Sequence, residues 1–514
     1  MKRSRSDRGD SSNRVSAATV GAGPVRITGR KITSDTLIRV LTNALLYLRN
    51  LVFLPVIAKG LGSEAYGVWG QMIGTLGLLT TLLTLNLSTA CVRYLPIKTE
   101  KREIGSALFS SLAIIWAAVG LFVLIGWFFR TKVSFLMFGA PGLVSYVWIF
   151  FVLVLVRITG GFLRNYYRSR NRIKTYSVAE GVEVILEVTA AALLVTRTSM
   201  GLSGALWALI AVEGAFMVGM LVAILREVGF IYRLDFRGLR SYLSFSLPLI
   251  PNSLLMWVVD LSDRYVITHI LGLGQAAAYV AAYQVGRAVS LFMGPIVFGY
   301  RPAASSLWDS GDRARLASYM GRALRYYLLF LVPSLFGMFY LAPEAIRVLA
   351  NEDMVVSPAL VLLVGIGIAF ARVNEITSYP ISLAGRNRIF LILSFFAAAF
   401  NLGFNVWLIP KWGILAAATS TLLTYALRNT VVLVISYRIL PFPFDGPFFL
   451  KAVLCSGAMY GVIRFLPARG IGGLLSVGVV GAAVYFVLMI LVRGVSREEW
   501  RIVRTALGAL FPRR

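Results

Sequence analysis

Four apolar stretches of this 514-residue chain carry side chains that hydrocarbon does not tolerate. Arg49 and Asn50 lie mid-way along the first and Gln71 and Asn86 along the second. Asp260, Asp263 and Arg264 lie in the seventh, and Gln284 and Arg287 in the eighth. Such groups at bilayer depth are costly unless they face a cavity or a partner. Guanidinium groups offer paired donors to carboxylate or phosphate oxygens, and amides suit hydroxyl-rich molecules. The expected substrate-binding set is therefore Arg49, Asn50, Gln71, Asn86, Asp260, Arg264, Gln284 and Arg287, lining one polar cavity. Other polar groups read as structural. Glu180, Glu183 and Glu187 share a helix face at i, i+3, i+7 spacing; with Glu213 and Arg157 they are expected to form a buried Arg–Glu network. Asn374, Glu375, Arg428 and Asn429 receive the same reading.

Catalytic chemistry has little to work with. His269 is the single histidine, and the two cysteines, Cys91 and Cys455, make neither a disulfide framework nor a metal site. No phosphate loop, no G-x-G-x-x-G before a helix and no metal-spaced carboxylate set occurs. The expectation is no catalytic residue, no metal, no cofactor and no enzyme activity.

The elements that must position these side chains are set by composition. The chain is 58% hydrophobic and 14% charged, against about 25% charged in soluble proteins, so the bilayer has to be the solvent for most of it. Runs long enough to span start near Thr36, Ala65, Ile104, Gly142, Tyr176, Leu202, Phe245, Gln275, Arg322, Val356, Ile389, Gly413, Phe448 and Ile471. The fold class is an all-α membrane protein of about fourteen transmembrane helices.

The net charge of +28 sits in short loops and at the two ends, not on a soluble domain. That excludes nucleic acid and points to anionic membrane lipids. Alternate loops are Arg-rich: Arg93 to Arg102, Arg164 to Lys174, Arg226 to Arg240, Arg301 to Arg315, Arg386 and Arg388, then Arg438 and Lys451. The intervening loops are short and poorer in Lys and Arg, which puts both termini in the cytoplasm.

Leu61-Gly62 and Leu271-Gly272, Tyr66 and Tyr279, Gln71 and Gln284, and Arg170-Asn171-Arg172-Ile173 and Arg386-Asn387-Arg388-Ile389 recur in the same order. Each pair is offset by six helices, so the copies form a parallel repeat. The expected organisation is a disordered basic tail at 1–33, a six-helix lobe at 34–228 and a basic cytoplasmic linker at 229–243. A second six-helix lobe follows at 244–440, then an appended two-helix unit at 441–495 and a basic tail at 496–514.

The stretch from Ala58 to Gly67, with Lys59-Gly60-Leu61-Gly62 and Tyr66-Gly67, resembles the first outside loop of the polysaccharide flippases. Asn86-Leu87-Ser88 through Arg93-Tyr94 resembles the end of that family's second helix. Asp263-Arg264-Tyr265-Val266-Ile267 with Leu271-Gly272 resembles its seventh helix, and Leu383 to Arg388 its basic loop after helix ten. These Wzx-type flippases belong to the multidrug/oligosaccharidyl-lipid/polysaccharide exporter superfamily. The resemblance implies an inner-membrane protein that moves an undecaprenyl-pyrophosphate-linked oligosaccharide to the periplasmic leaflet by alternating access, for O-antigen or exopolysaccharide biosynthesis. It also implies polysaccharide polymerase partners and leaves room for a coupling ion, H+ or Na+. A multidrug or cation antiporter of the same superfamily is the first rival, and calls for an acidic cavity. A membrane polymerase or ligase is the second, and calls for a sizeable outside loop.

Overall fold

In hydrocarbon a backbone can bond only to itself, so long apolar runs must become helices. A computed structural model of the chain describes residues 42, 44–229, 234–290 and 293–494, and among them the regular structure is helical throughout. Ten helices are each long and apolar enough to cross a bilayer, and one bent pair makes an eleventh. Three more passes are helical but interrupted or too charged for that criterion, giving fourteen.

The passes are named here in chain order. Helix α1 covers 44–53 and runs into a π-helical turn, Leu54–Lys59. Pro55 lacks the N–H that the regular ladder needs there. Helix α2 is Ser63–Leu83; it breaks at Leu85 and Asn86, both left-handed with φ of 48° and 55°, and resumes as Leu87–Tyr94, bent by 56°. Helices α3 (Lys101–Phe128), α4 (Val144–Ser169), α5 (Ile173–Arg197) and α6 (Gly201–Val228) complete the first group. Helix α7 is Ile250–Leu271. Helix α8 is Leu273–Gly286, then a tight turn at Arg287–Ser290, then Met293–Asp309. Helices α9 (Arg313–Leu349), α10 (Pro358–Thr377), α11 (Arg388–Trp412), α12 (Ile414–Ile439), α13 (Gly446–Ile463) and α14 (Gly470–Leu491) follow.

Packing is strongest within two groups. Helices α2, α3, α5 and α6 gather round α4 and each other; α7 packs on α11, and α10 on α9 and α12. The groups meet where α2 lies against α7 and α8. Helices α13 and α14 pack on the long α9. That attachment is polar at both ends: Arg325 donates to Asp445 at 2.6 Å, and Tyr340 donates to the Leu466 carbonyl at 2.6 Å.

Gly62 and Gly272 adopt nearly the same left-handed backbone, φ 93° and 87°, at the starts of α2 and α8. Only glycine takes that conformation readily, so the recurring Leu-Gly has a geometric cause. Between the groups, the short helix Phe236–Ser246 lies against Leu87–Tyr94, with Tyr94 packed on Tyr242 and Phe245. The tails at 1–33 and 496–514, and residues 230–233 of the basic linker, lie outside the described residues. His269 is exposed at a helix end beside Phe135, and both cysteines are buried and free.

Candidate functional site

The interface between the two groups is built on glycine. Gly67, Gly70 and Gly74 fall on one face of α2. A Cβ at Gly67 would come within 2.6 Å of the Leu273 carbonyl oxygen, and one at Gly70 within 3.2 Å of Val280. The close approach lets polar bonds cross. Gln71 donates to the Arg264 carbonyl at 3.0 Å and to the Thr268 hydroxyl. Thr75 and Tyr265 share a hydrogen bond of 2.5 Å, and Trp257 donates to the Gly74 carbonyl at 3.1 Å. Asn351 reaches the Ala58 carbonyl at 2.7 Å. This end of the bundle, where Leu61-Gly62 and Leu271-Gly272 sit, is closed.

A crevice of about 40 Å3 remains between the groups, lined among others by Arg49, Asn50, Trp69, Arg157, Arg264 and Gln284. That volume suits a single water. Its first-group cations are already engaged. Arg49 donates to Glu187 at 3.0 Å and Arg157 makes a two-nitrogen contact with Glu213; outside the crevice, Arg164 holds Glu183 at 2.9 Å. All three carboxylates are nearly fully buried. Charge in the first group is therefore locally balanced.

The second group is different. Helices α7, α8, α10 and α12 enclose a cavity of about 370 Å3 lined by Asp260, Arg264, Arg287, Arg372, Asn374 and Arg428, with Tyr283 and Tyr425. Four guanidinium groups thus face one carboxylate. Asp260 accepts a hydrogen bond from Tyr425. Arg264 lies over the Tyr283 ring at 5.4 Å, and Arg428 donates to Asn429 at 3.2 Å. The buried Nε atoms of Arg264, Arg372 and Arg428, and the Asn374 carbonyl oxygen, have no hydrogen-bond partner among the described residues. Buried donors without acceptors are rare and costly. Clustered guanidinium groups with spare N–H donors are chemistry suited to an anion.

The structure thus divides the expected set. Arg49, Asn50, Arg264 and Gln284 reach the inter-group crevice, and Asp260, Arg264 and Arg287 reach the larger cavity. Arg264 lines both. Gln71 is 2% exposed and is a tie between α2 and α7. Asn86 sits in the break of α2 and accepts from Thr89 at 2.9 Å, so it serves the bend. Arg372, Asn374 and Arg428 line the cavity although the sequence reading left them out or took them as structural. Their signal was present as ionisable and amide groups within spans; nearby Glu375 made an internal pair the simpler reading.

A second polar cluster is buried behind the cavity. Asp263 accepts from Tyr279 at 2.5 Å and from Thr421 at 3.5 Å. Asn401 reaches Ser420, Thr421 and Thr424 at 3.3–3.5 Å and accepts from Asn405 at 3.0 Å. Asp263, Asn401 and Asn405 are 0% exposed, and the Asn405 carbonyl oxygen has no partner among the described residues. One carboxylate among neutral oxygens is donor chemistry for a hard monovalent cation, not for zinc. No group of three or more His, Cys, Asp or Glu able to hold a metal occurs among the described residues.

Residues 32–308 match the family model described as polysaccharide biosynthesis protein. The chain belongs to that family. An uncharacterized membrane protein of Methanocaldococcus jannaschii is 29% identical over 32% of this chain and 32% of its own length. A probable low-salt glycan biosynthesis flippase of Haloferax volcanii is 23% identical over 38% of this chain and 42% of its own. The matched segment thus spans well under half of either relative. In three dimensions the chain is similar to lipid II flippase MurJ in an inward closed conformation, with TM-score 0.72 and 16% identity over 90% of this chain and 99% of that one. This family member is an all-α, multi-pass membrane protein of the fold that the flippase resemblance implied.

Proposed function

We propose that this protein flips a lipid-linked oligosaccharide, with an undecaprenyl-pyrophosphate head group, from the cytoplasmic to the periplasmic leaflet of the cell inner membrane. In this reading both termini are cytoplasmic and the two groups of helices act by alternating access. The product feeds cell-surface polysaccharide assembly, where a polymerase would take it over. The observation that carries the reading is the cavity of Arg264, Arg287, Arg372 and Arg428 facing a single carboxylate.

A pyrophosphate cannot enter hydrocarbon uncompensated. Guanidinium groups with spare donors compensate both its charge and its oxygens. The diphosphate role falls chiefly to these four arginines, because Arg49 is held by Glu187 in this state. Asn50 and Gln284 at the crevice are placed to meet sugar hydroxyls once the groups part. Asp260 and the Asp263 cluster are the carboxylates on which a coupling ion, H+ or Na+, would act. The flippase reading of the Haloferax relative and the fold of MurJ support the assignment. A basic cavity disfavours the cation antiporter.

The test is flipping of a fluorescent undecaprenyl-pyrophosphate sugar in proteoliposomes. Arg287→Gln and Arg428→Gln should each lower the rate at least tenfold, since a lost charge-assisted bond is worth about 1.5–3 kcal/mol. Native rates in both variants would overturn the reading.

A further inference from the structure

Of the four cavity arginines, one is tied to an acid. Arg372 donates to Glu375, three residues on along α10. The other oxygen of Glu375 lies 4.0 Å from Arg301, in the second half of α8. Arg301 is exposed at 54% and Glu375 half-buried at 27%. Glu375 therefore stands between a guanidinium that lines the cavity and one that faces the Arg-rich end of the bundle. Arg264, Arg287 and Arg428 have no ion pair among the described residues.

We propose that Glu375 is a built-in anion that occupies Arg372 when the cavity is empty, and that passes to Arg301 when a diphosphate takes its place. The inference rests on the flippase reading and adds the regulation of that site. Three features support it. The pair is an i, i+3 contact near the surface, a class of ion pair that is weak and readily exchanged. The second guanidinium, Arg301, is already within reach, so the carboxylate is never stranded without a cation. The four cavity guanidiniums face a single lining carboxylate, Asp260, and Glu375 offsets the charge of Arg372 from outside the lining, so it does not block the site.

The test uses the full-length protein in nanodiscs, with inorganic pyrophosphate and farnesyl diphosphate as probes. Glu375→Gln keeps size and shape while removing the competing charge. It should bind both probes about two- to fivefold more tightly, the range for an exposed ion pair, and flip more slowly at saturating substrate. Arg301→Gln should leave probe affinity at the native value and slow flipping likewise. Arg428→Gln is the control that should lose probe binding. Unchanged or weaker probe binding in Glu375→Gln, with binding lost in Arg428→Gln, overturns the switch and leaves the flippase reading standing. Absence of probe binding in the native protein overturns both.

Discussion

Replacing Gly67 with Ala should push the bundle toward the state open at its glycine-lined end. The added Cβ would sit 2.6 Å from the Leu273 carbonyl oxygen, where an ordinary carbon–oxygen contact is about 3.3 Å. The obstacle is backbone at the start of α8 and not a flexible side chain, so the two groups must part by about 0.7 Å or strain. Overpacking of this kind costs about 1–3 kcal/mol. That corresponds to about a five- to 150-fold shift in the closed-to-open ratio. Gly77→Ala is the control, since a Cβ there meets nothing within 4 Å. Spin labels on Met200→Cys and Asp353→Cys, in a background with Cys91 and Cys455 replaced, would report the separation of the two groups at this end. A longer-distance population should appear in Gly67→Ala and not in Gly77→Ala. Superimposable distance distributions in all three proteins would refute the idea that this contact sets the closed state.

Two further outcomes follow from the charges. Glu187→Ala should lower the melting temperature more than the Arg49→Ala and Glu187→Ala pair together. It leaves Arg49, 18% exposed, without its acid at a cost of about 1–3 kcal/mol; a double variant no more stable than Glu187→Ala would place the cost elsewhere. Asp260→Asn should remove the pH dependence of flipping. As pH falls, protonation of Asp260 would take the one opposing charge out of the arginine cavity and strengthen diphosphate binding, and the amide variant holds that neutral form at every pH. An unaltered pH profile in Asp260→Asn would exclude Asp260 from ion coupling.

Much of the fold was legible because hydropathy in a bilayer is a one-dimensional constraint. Spans must be about 20 residues and helical, and loop arginines order them in space. Where the pattern was least regular, polar chemistry had replaced length. Helix α5 carries Glu180, Glu183 and Glu187; α8 breaks at Arg287; α2 bends at Asn86. The site was legible only in part, for a related reason. A mid-span Arg is recognisable from sequence, but whether it is free depends on a helix distant in the chain. Arg49 looked available until Glu187, 138 residues on, was found to hold it. Arg428 read as a structural partner alongside Glu375, and Arg372 did not stand out at all, yet Glu375 engages Arg372 and not Arg428. Gln71 looked like cavity lining and is instead a bond across the interface. The glycines that permit that bond carried no polar signal at all.

In the flippase reading, the bonds across the closed end set what opening costs. Four hydrogen bonds join α2 to α7: two from Gln71, one between Thr75 and Tyr265, and one from Trp257. All are between neutral groups, each worth about 0.5–1.5 kcal/mol net, so together about 2–6 kcal/mol. No ion pair among the described residues crosses there, so parting the groups leaves no buried charge stranded. An anion carried outward from a negative interior gains about 2.3 kcal/mol per charge per 100 mV, and a doubly charged head group about 4–5 kcal/mol. The electrical gain over a cycle is of the same size as the worth of these four bonds. In the flippase reading, a loaded carrier with its guanidiniums neutralised by substrate moves little net charge, so the membrane potential does not oppose that step. The unloaded carrier, with surplus positive charge in the second group, is pulled back toward the negative side. The potential then drives the cycle through the return of the empty carrier, and substrate binding supplies the change of charge between the two halves.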